Sequence, residues 1–336
     1  MAPLKVGLVG GSGETGASIV NGLFEEADKF SIIALTRPAS MSKPANKLLA
    51  DRGCELRPLD LKGSHADIVQ ALNGIEVLIS AIGPMEQLEQ IPLAKAAKEA
   101  GVKRFIPCGF ITVIPAGGIQ GLRDQKEIVY NETKKLGLPY TILDVGWWYQ
   151  ISFPELPSGK IDYAVGIPGQ RIAGDGTQLS ALTDLRDIGR FVAKIIVDDR
   201  TLNKMVLVYG EMWSQNEVYD LLEKISGEKL ERKYVSQPEL EATIADGTKK
   251  LATDPTNFGY GVQVISSQYM ISWGIRGDNT PEYARYLGYL TSDELYPDFE
   301  KRSFESYMRE VLDGKAKGVY EQLKEQIRKV VADKDA

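Results

Sequence analysis

Short apolar runs alternate with amphipathic stretches over the first part of the chain. Six apolar runs rich in β-branched residues cover 4–10, 30–36, 54–60, 76–82, 102–108 and 138–146. Their length and continuous hydrophobicity are typical of strands buried on both faces of a sheet. Between them, apolar residues recur at helical spacing in 14–28, 66–74, 90–101 and 126–137. The alternation predicts an α/β fold with a Rossmann-type, doubly wound parallel sheet.

The pattern changes after Gly146. Residues 147–177 are rich in aromatic residues, proline and glycine and lack long periodic elements. Helical patterns return at 183–199 and 216–227, with a strand pattern at 205–210, and further helical stretches occur near 236–250, 280–288 and 301–333. We therefore predict two lobes. The first is a nucleotide-binding domain of residues 1–150 to which about 184–210 return, and the second is a smaller α+β substrate lobe of residues 151–183 and 211–336.

A glycine-rich segment follows the first predicted strand and opens the first predicted helix. Gly11, Gly13 and Gly16 fit G-x-G-x-x-G, while Gly10, Gly13 and Gly16 fit the looser G-x-x-G-x-x-G. In such loops one glycine makes the turn, one lets backbone approach a pyrophosphate, and one lets the helix pack closely. The prediction is a dinucleotide site, and the alternative is a turn that binds nothing. The residues expected to line the site are Gly10, Ser12, Gly13, Glu14, Thr15 and Gly16.

The end of the second predicted strand indicates which dinucleotide binds. NAD-dependent proteins place Asp or Glu about 20 residues beyond the loop to bind the ribose 2′-hydroxyl. Arg37 stands there instead, and a guanidinium can hold a 2′-phosphate through two hydrogen bonds. Lys43 or Lys47 can add positive charge. We therefore predict NADP(H) as the cofactor, with a solvated Arg37 as the alternative.

The other strand ends supply further cofactor contacts by topology alone. Asp60 ends the third predicted strand, where a side chain can reach the adenine. The fourth predicted strand ends where the chain should pass the nicotinamide half of the cofactor. The residues expected to contact it there are Ser80, Ala81, Ile82 and Gly83.

Composition excludes several classes of protein. The formal net charge of −6 argues against a nucleic-acid binder. A single histidine, His65, leaves too few ligands for a typical zinc site and argues against a Ser-His-Asp triad. Two cysteines, no signal-peptide pattern and no apolar run approaching ~18 residues lead us to expect a cytoplasmic protein without membrane association. We expect a monomer or a homodimer.

Together with the glycine loop and Arg37, the segments 104–110 and 122–146 resemble a known group of proteins. This group is the NmrA-like, isoflavone-reductase-like branch of the atypical short-chain dehydrogenases/reductases. The sequence pattern is most similar to that of its fungal members. The resemblance is clearest over 4–150 and implies an NADP(H)-binding Rossmann domain with the active site facing a smaller lobe. Many members reduce phenylpropanoids or other aromatic natural products, whereas others bind the dinucleotide without turning it over.

The resemblance also implies a catalytic lysine. Reductases of the group carry it eleven residues before the glycine of a G-[LI]-P-Y-T strand; that glycine is Gly137 here, and the lysine is Lys126. Tyr130 lies four residues on, on the same helical face, and is expected in the site. Tyr130 and Lys134 also match the Y-x-x-x-K pattern of ordinary short-chain dehydrogenases, but a lysine in the last helical turn is typically solvated. A third alternative is that none of them is catalytic.

One segment departs from the family pattern. The reductases usually read S-E-F-G after the fifth strand, whereas this chain reads Cys108-Gly109-Phe110-Ile111. We expect Cys108, Gly109 and Phe110 to contact the cofactor, and Phe110 the substrate as well. Cys108 is either a reactive thiol or a small buried residue. The missing Ser and Glu place the plant-type substrate and mechanism in doubt.

Aromatic residues after the sixth predicted strand are candidates for a flat substrate. Ligands of α/β proteins bind at the carboxyl ends of strands, and aromatic rings suit an aromatic ligand. The candidates are Trp147, Trp148, Tyr149, Phe153 and Trp273, with Tyr269 as a weaker one. Packing between the lobes is the alternative.

These features predict an NADPH-dependent reductase of a small aromatic or other secondary metabolite, with proton transfer assisted by Lys126. One alternative is an NADP-bound enzyme that guides cyclisation or isomerisation of an iminium or quinone-methide intermediate. The other is a regulatory protein that senses NADP. Lys126 favours the two enzymes, and the altered segment at Cys108 keeps the non-redox enzyme open.

Overall fold

The structure, a computed structural model, describes residues 2–321 and residue 324. Strands and helices alternate from the start of the chain. Their bounds are β1 (Leu4–Val9), α1 (Glu14–Phe24), β2 (Phe30–Thr36), α2 (Pro44–Asp51), β3 (Glu55–Pro58), α3 (His65–Ala71), β4 (Val77–Ser80), α4 (Gln90–Glu99), β5 (Arg104–Ile106), α5 (Gly121–Lys135) and β6 (Thr141–Asp144). Each apolar run of the sequence became one of these strands.

The first five strands form one parallel sheet in the order β3-β2-β1-β4-β5. Leu8 of β1 lies opposite Ala34 of β2 and Ile79 of β4, at the centre of the sheet. A parallel bridge between Phe105 and Tyr140 continues the sheet from β5 towards β6. The strand order reverses between β1 and β4, so their carboxyl ends flank the crevice where ligands bind in such sheets. The predicted α/β, doubly wound class is confirmed.

The second half of the chain adds shorter elements. They are β7 (Trp147–Trp148), β8 (Ile172–Ala173), β9 (Ser180–Thr183), α6 (Leu185–Ile195), β10 (Lys204–Leu207), β11 (Glu211–Trp213), α7 (Gln215–Ser226), β12 (Tyr234–Val235), α8 (Gln237–Thr253), α9 (Phe258–Tyr269), α10 (Pro281–Tyr286), β13 (Leu290–Thr291), α11 (Ser292–Leu295) and α12 (Phe304–Leu312). Strand β10 pairs in parallel with β6 and β13. Strand β9 pairs antiparallel with β11 and parallel with β7. The division into two lobes stays a prediction.

Several helical regions differ from the sequence analysis. Helix α2 was not predicted, although Pro44 stands in its first turn, where proline is favoured. Helix α9 was also missed; it continues directly into a π-helix, Met270–Arg276. Helix α12 covers only part of the stretch predicted near 301–333, and Gly314, with φ of 72°, follows its end. Residues 322–323 and 325–333 of that stretch lie outside the described residues.

Helices α1 and α6 pack against each other through glycine. A Cβ atom at Gly189 would lie 1.8 Å from the carbonyl oxygen of Ser18, and one at Gly22 would lie 2.1 Å from the carbonyl carbon of Gly189. The Ser18 hydroxyl accepts a hydrogen bond from the Gly189 N–H (3.0 Å) and donates one to the Leu185 carbonyl. The two backbones are therefore in direct contact, and α1, which follows the glycine loop, is fixed by α6.

None of the described helices is long and apolar enough to cross a bilayer.

The α1–α6 contact predicts that Gly189→Ala lowers the free energy of unfolding by about 3 kcal/mol, since the added methyl group meets backbone rather than a movable side chain. Urea denaturation followed by circular dichroism measures this change. The matched control is Gly261→Ala in α9, where a Cβ would meet no atom within 4 Å. That control should be neutral or stabilising by up to about 1 kcal/mol. Equal losses in the two variants would contradict the contact.

Candidate active site

The loop between β1 and α1 depends on glycine at two positions. Gly10 has φ of +82°, and a Cβ there would lie 2.4 Å from the carbonyl oxygen of Ala81. A Cβ at Gly16 would lie 2.1 Å from the carbonyl oxygen of Gly10. At Gly11, by contrast, a Cβ would meet its nearest side chain at 3.4 Å. These contacts favour the G-x-x-G-x-x-G pattern through Gly10, Gly13 and Gly16.

The N-terminus of α1 is open to an anion. Gly13 is its exposed N-cap residue, and no side chain caps the first turn. Backbone N–H groups and the positive end of the helix dipole therefore face outward without an internal partner. Ser12 is exposed and Thr15 is half-buried, so both hydroxyls lie in this region. Glu14 is half-buried and accepts a hydrogen bond from the Tyr320 N–H at 3.3 Å.

Arg37 lies exposed directly after β2. Its guanidinium is 3.4 Å from the carboxylate of Glu86, which belongs to a short 3₁₀ helix, Pro84–Glu89, after β4. An exposed pair of this kind contributes about 1 kcal/mol at most, so a phosphate can replace the carboxylate. Lys47 of α2 and Asp60, beyond β3, are also exposed.

The end of β4 lines the crevice beside Gly10. The Ser80 hydroxyl is buried and has no hydrogen-bond partner among the described residues. Ala81 and Ile82 are half-buried, and Gly83 is exposed. The glycine turn, the uncapped helix and the exposed guanidinium of Arg37 together form a donor set for the phosphates of a dinucleotide. The residues present therefore fit NADP(H).

Lys126 is buried in the second turn of α5, with 2% of its surface exposed. Its ammonium group donates hydrogen bonds to the Cys108 carbonyl oxygen (2.6 Å) and to Oε1 of Gln87 (3.0 Å). The Cys108 thiol lies 3.7 Å from the same nitrogen. Burial lowers the pKa of Lys126, because the charged form loses its hydration. This is the environment of a lysine that exchanges protons.

Two buried glutamines hold this arrangement, and the sequence analysis missed both. Nε2 of Gln87 donates to the Gly83 carbonyl oxygen at 2.8 Å, which leaves its Oε1 to accept from Lys126. Oε1 of Gln90 accepts the Cys108 N–H at 2.7 Å, and its Nε2 donates to the Gln87 carbonyl oxygen at 3.1 Å. The ends of β4 and β5 are thereby joined around the lysine. Glutamine has no distinctive sequence spacing that would have indicated this role.

Tyr130 and Lys134 lie in different environments. Tyr130 is fully buried beside Val129 and Ile142, and its hydroxyl has no partner among the described residues. Burial raises the pKa of Tyr130 well above its ordinary value. The exposed Lys134 places its ammonium 5.8 Å from the centre of the Tyr140 ring. This placement gives no support to a Tyr130–Lys134 pair.

The segment that departs from the family pattern has a constrained backbone. A Cβ at Gly109 would lie 2.4 Å from the Leu143 carbonyl oxygen, so a glutamate cannot occupy this position without a backbone shift. Phe110 follows with φ of 54°, which is strained for a bulky residue. Its N–H donates to the same Leu143 carbonyl at 2.6 Å. Cys108 and Phe110 are both buried, and Cys108 contacts Lys126.

A buried polar network lies behind this segment. Arg123 of α5 donates a hydrogen bond to Asp144 at the end of β6 (2.7 Å) and another to the Tyr289 hydroxyl (2.8 Å). That hydroxyl donates to the same Asp144 oxygen at 2.6 Å. Glu127 pairs with the other side of the guanidinium at 2.7 Å. The network fixes α5 on β6 and was not predicted, because Asp144 and Tyr289 are 21 and 166 residues away from Arg123.

An aromatic cleft of about 410 Å³ opens between β7 and the end of α9. Trp147 packs edge-on against Tyr269, with ring centres 5.0 Å apart, and its ring centre lies 5.7 Å from that of Trp273. Apolar residues, glutamines and serines form most of the remaining wall, and Arg171 adds a cation. The predicted candidates Trp147 and Trp273 therefore reach the cleft, and so does Tyr269.

The other predicted aromatic residues lie elsewhere. Tyr149 and Phe153 are buried in a hydrophobic core with Tyr307. Their role is therefore packing, which was the alternative to substrate binding. Trp148 is buried and stacks on Tyr320, with ring centres 5.4 Å apart. None of these three lines the cleft.

Among the described residues, no group of three or more His, Cys, Asp or Glu side chains is placed to hold a metal ion.

Known proteins similar to this chain include fungal and plant enzymes. The model of the NmrA-like family matches residues 4–272. An asnovolin J 5′,6′-dehydrogenase of Aspergillus novofumigatus is 44% identical over 315 residues, which cover 93% of this chain and 96% of that protein. An isoflavone reductase-like protein of Olea europaea is 26% identical over 317 residues, 90% of this chain and 97% of that protein.

A solved structure agrees with the fold. Leucoanthocyanidin reductase of Vitis vinifera, in a binary complex with NADPH, superposes with a TM-score of 0.77 at 22% identity, over 92% of this chain and 99% of that chain. The family match extends well past the region where the resemblance is clearest in the sequence. The chain belongs to the NmrA-like family and is an oxidoreductase of the isoflavone reductase-like type.

Proposed function

We propose that this protein uses NADPH to reduce a small aromatic secondary metabolite and that Lys126 exchanges the proton that accompanies reduction. The observation that carries the proposal is the buried ammonium of Lys126, held by the Cys108 carbonyl and by Gln87. The lysine lies beside the ends of strands whose loops fit a dinucleotide. Few structural roles require a buried lysine without a carboxylate partner.

The proposed cofactor site runs along the carboxyl edge of the sheet. Gly10, Gly13 and Gly16 allow the backbone to approach the pyrophosphate, and the start of α1 supplies N–H donors. Arg37 would hold the 2′-phosphate, and Lys47 of the following helix, α2, is a further exposed cation. When bound, the nicotinamide supplies the hydride. Structures of the same fold that contain NADPH or NADP⁺ support this choice.

The contacts of Lys126 define what it can do. An ammonium group has three N–H donors, and two of them are used by Cys108 and Gln87. The third makes only a weak contact with the Cys108 thiol at 3.7 Å, which a cofactor hydroxyl or a substrate oxygen can replace. Because burial lowers the pKa of Lys126, the proton is given up more readily than from an exposed lysine. The residue can therefore serve as a general acid and be reprotonated from solvent.

The cleft supports an aromatic or polycyclic substrate. Trp147, Tyr269 and Trp273 present flat apolar surface on which a ring system can stack. The fungal relative is a dehydrogenase of asnovolin J, and plant relatives are isoflavone reductase-like proteins and phenylcoumaran benzylic ether reductases. We propose a secondary metabolite of comparable size for this chain.

The backbone at Gly109 and Phe110 is the observation that favours a second candidate function, a non-redox reaction with NADP bound. Its strained geometry and missing glutamate set this site apart from the S-E-F-G pattern. A non-redox cyclisation or isomerisation with NADP bound would convert substrate while NADPH absorbance stays constant. A regulatory binder would hold NADP and convert nothing.

The role of Arg37 predicts a selective loss of affinity. Arg37→Ala should weaken NADPH binding by about 10- to 100-fold, because charged hydrogen bonds to the 2′-phosphate are lost, and should barely change NADH binding. Titration calorimetry with both nucleotides measures this difference. The matched control is Glu86→Gln, which removes the carboxylate that pairs with Arg37 and should tighten NADPH binding by up to about fivefold. Similar losses for NADPH and NADH in Arg37→Ala would refute the assignment.

The role of Lys126 predicts loss of turnover without loss of the cofactor. Lys126→Met and Lys126→Ala should reduce NADPH oxidation at least about 100-fold, the usual contribution of a positioned acid, against a panel of aromatic ketones, enones, imines and benzylic ethers. NADPH affinity should change far less, as measured by titration. Lys134→Met, at the exposed end of the same helix, is the control and should keep full activity. Full activity in both Lys126 variants would overturn the assignment.

Burial of Lys126 also predicts a pH-dependent stability. The pKa of Lys126 is about 10.5 in the unfolded state and lower in the folded state. At any pH between the folded-state pKa and 10.5, the unfolded state therefore binds more protons than the folded one. The free energy of unfolding contributed by this group therefore rises with pH up to 10.5. Wild type should gain stability relative to Lys126→Met between about pH 7 and pH 10, as measured by urea unfolding, while Lys134→Met should track wild type. A constant gap between wild type and Lys126→Met would contradict the lowered pKa.

A further inference from the structure

Tyr269 lies where the aromatic cleft approaches the lysine pocket. It is the last residue of α9, it lines the cleft, and its ring packs edge-on against Trp147 at 5.0 Å. The preceding residue, Gln268, accepts the Gly121 N–H through Oε1 at 3.2 Å. The end of α9 is thereby tied to the first turn of α5, the helix that carries Lys126. The π-helix that starts at Met270 is a feature often found at functional sites.

We propose that Tyr269, oriented by Gln120, donates the hydrogen bond that holds the substrate's carbonyl oxygen in the cleft. This inference rests on the proposed function, since it places the reacting group of that substrate. The hydrogen bond to the substrate oxygen then comes from the second half of the chain and not from the segment at Cys108, which lacks the Ser and Glu of the S-E-F-G pattern.

The surroundings of Tyr269 and Lys126 overlap. The groups Cys108, Asp144 and Arg123 act electrostatically on both side chains. Burial raises the pKa of Tyr269, which keeps its hydroxyl protonated over the working pH range. A neutral phenol in this position is a lasting hydrogen-bond donor and a poor source of protons. Donation to the substrate by Tyr269 and proton exchange by Lys126 are therefore separate tasks.

Gln120 provides the second, independent observation. Its side chain is fully buried, and neither Nε2 nor Oε1 has a well-formed hydrogen bond among the described residues. Gln120 precedes Gly121, whose N–H is bonded to Gln268, the neighbour of Tyr269, so the amide adjoins the end of α9. Hydrogen bonding by this amide lowers the pKa of Tyr269 and so partly opposes the effect of burial. An unpaired buried amide is costly, and such groups in folded proteins call for an explanation. If the amide N–H donates to the phenol oxygen, the hydroxyl hydrogen is left to point into the cleft.

Two glutamines of the cleft are already engaged. Gln215 accepts the Ala173 N–H at 2.7 Å and donates to the Arg171 carbonyl at 3.0 Å. Gln170 donates to the Ile151 carbonyl at 2.8 Å. On the aromatic wall, the indole N–H of Trp147 donates to the Ile151 carbonyl at 3.2 Å, and the indole nitrogen of Trp273 is buried and has no partner among the described residues. The hydroxyl of Tyr269 is therefore the group on that wall best placed to meet a substrate oxygen.

The test uses two probes of one shape, 9-fluorenone and fluorene, which differ by a carbonyl oxygen. Binding to the nucleotide-free protein is followed by quenching of tryptophan emission. Wild type should bind fluorenone about fivefold more tightly than fluorene, as one hydrogen bond predicts. Tyr269→Phe should abolish this preference by weakening fluorenone alone, and Gln120→Leu should reduce it. Tyr260→Phe, on the same helix and outside the cleft lining, is the control and should bind as wild type does.

Two results would overturn the proposal. They are the absence of a ketone preference in wild type and its persistence in Tyr269→Phe with fluorene binding unchanged. Circular dichroism checks that each variant is folded. Because no turnover is needed, the outcome is independent of whether the protein reduces its substrate. With a substrate from the panel that is turned over, Tyr269→Phe should raise KM more than it lowers kcat, whereas Lys126→Met should lower kcat.

Discussion

Direct backbone contact at the carboxyl edge of the sheet is the constraint on which the site depends. Gly10 lies against the Ala81 carbonyl, and Gly109 against the Leu143 carbonyl, at distances that exclude a side chain. The first contact brings the nucleotide loop onto the end of β4. The second brings the end of β5 onto β6. The glycine turn that approaches the pyrophosphate belongs to the first of these loops, and Lys126 is hydrogen-bonded to Cys108, which adjoins the second.

This packing explains why a lysine can be buried without a carboxylate beside it. Lys126 is solvated by fixed dipoles, the Cys108 carbonyl and the Gln87 amide, which are themselves held by Gln90 and by the loop at Gly83. Dipoles stabilise the ammonium less than an ion pair does, so its pKa falls. Asp144, the buried carboxylate of this region, is occupied by Arg123 and Tyr289 through one oxygen. Their contacts keep that charge from fully offsetting the desolvation of the lysine.

The sequence predicted what depends on local signals. Strand β1, the glycine turn and helix α1 follow one another within a single segment, and the positive φ of Gly10 explains why glycine stands there. The aromatic candidates were only partly separable, because Trp147 and Trp148 look alike in sequence while adjacent residues of a strand face opposite sides. Gln87, Gln120 and the Arg123–Asp144–Tyr289 network carry no local pattern. Their roles arise from contacts between distant segments.

The two halves of the site therefore differ in what fixes them. The proposed nucleotide half is set by backbone geometry. This geometry accepts few residues other than glycine, and it therefore leaves a recognisable sequence pattern. The substrate half is set by side chains on α9 and β7, where aromatic packing can be preserved by many sequences while the hydrogen-bonding group changes. Because the Leu143 carbonyl excludes a side chain at position 109, this position offers no polar side chain to a substrate. The end of α9, which is hydrogen-bonded to the start of α5, carries Tyr269. The hydroxyl of Tyr269 can hold a substrate oxygen without any change in the loops proposed to bind the cofactor.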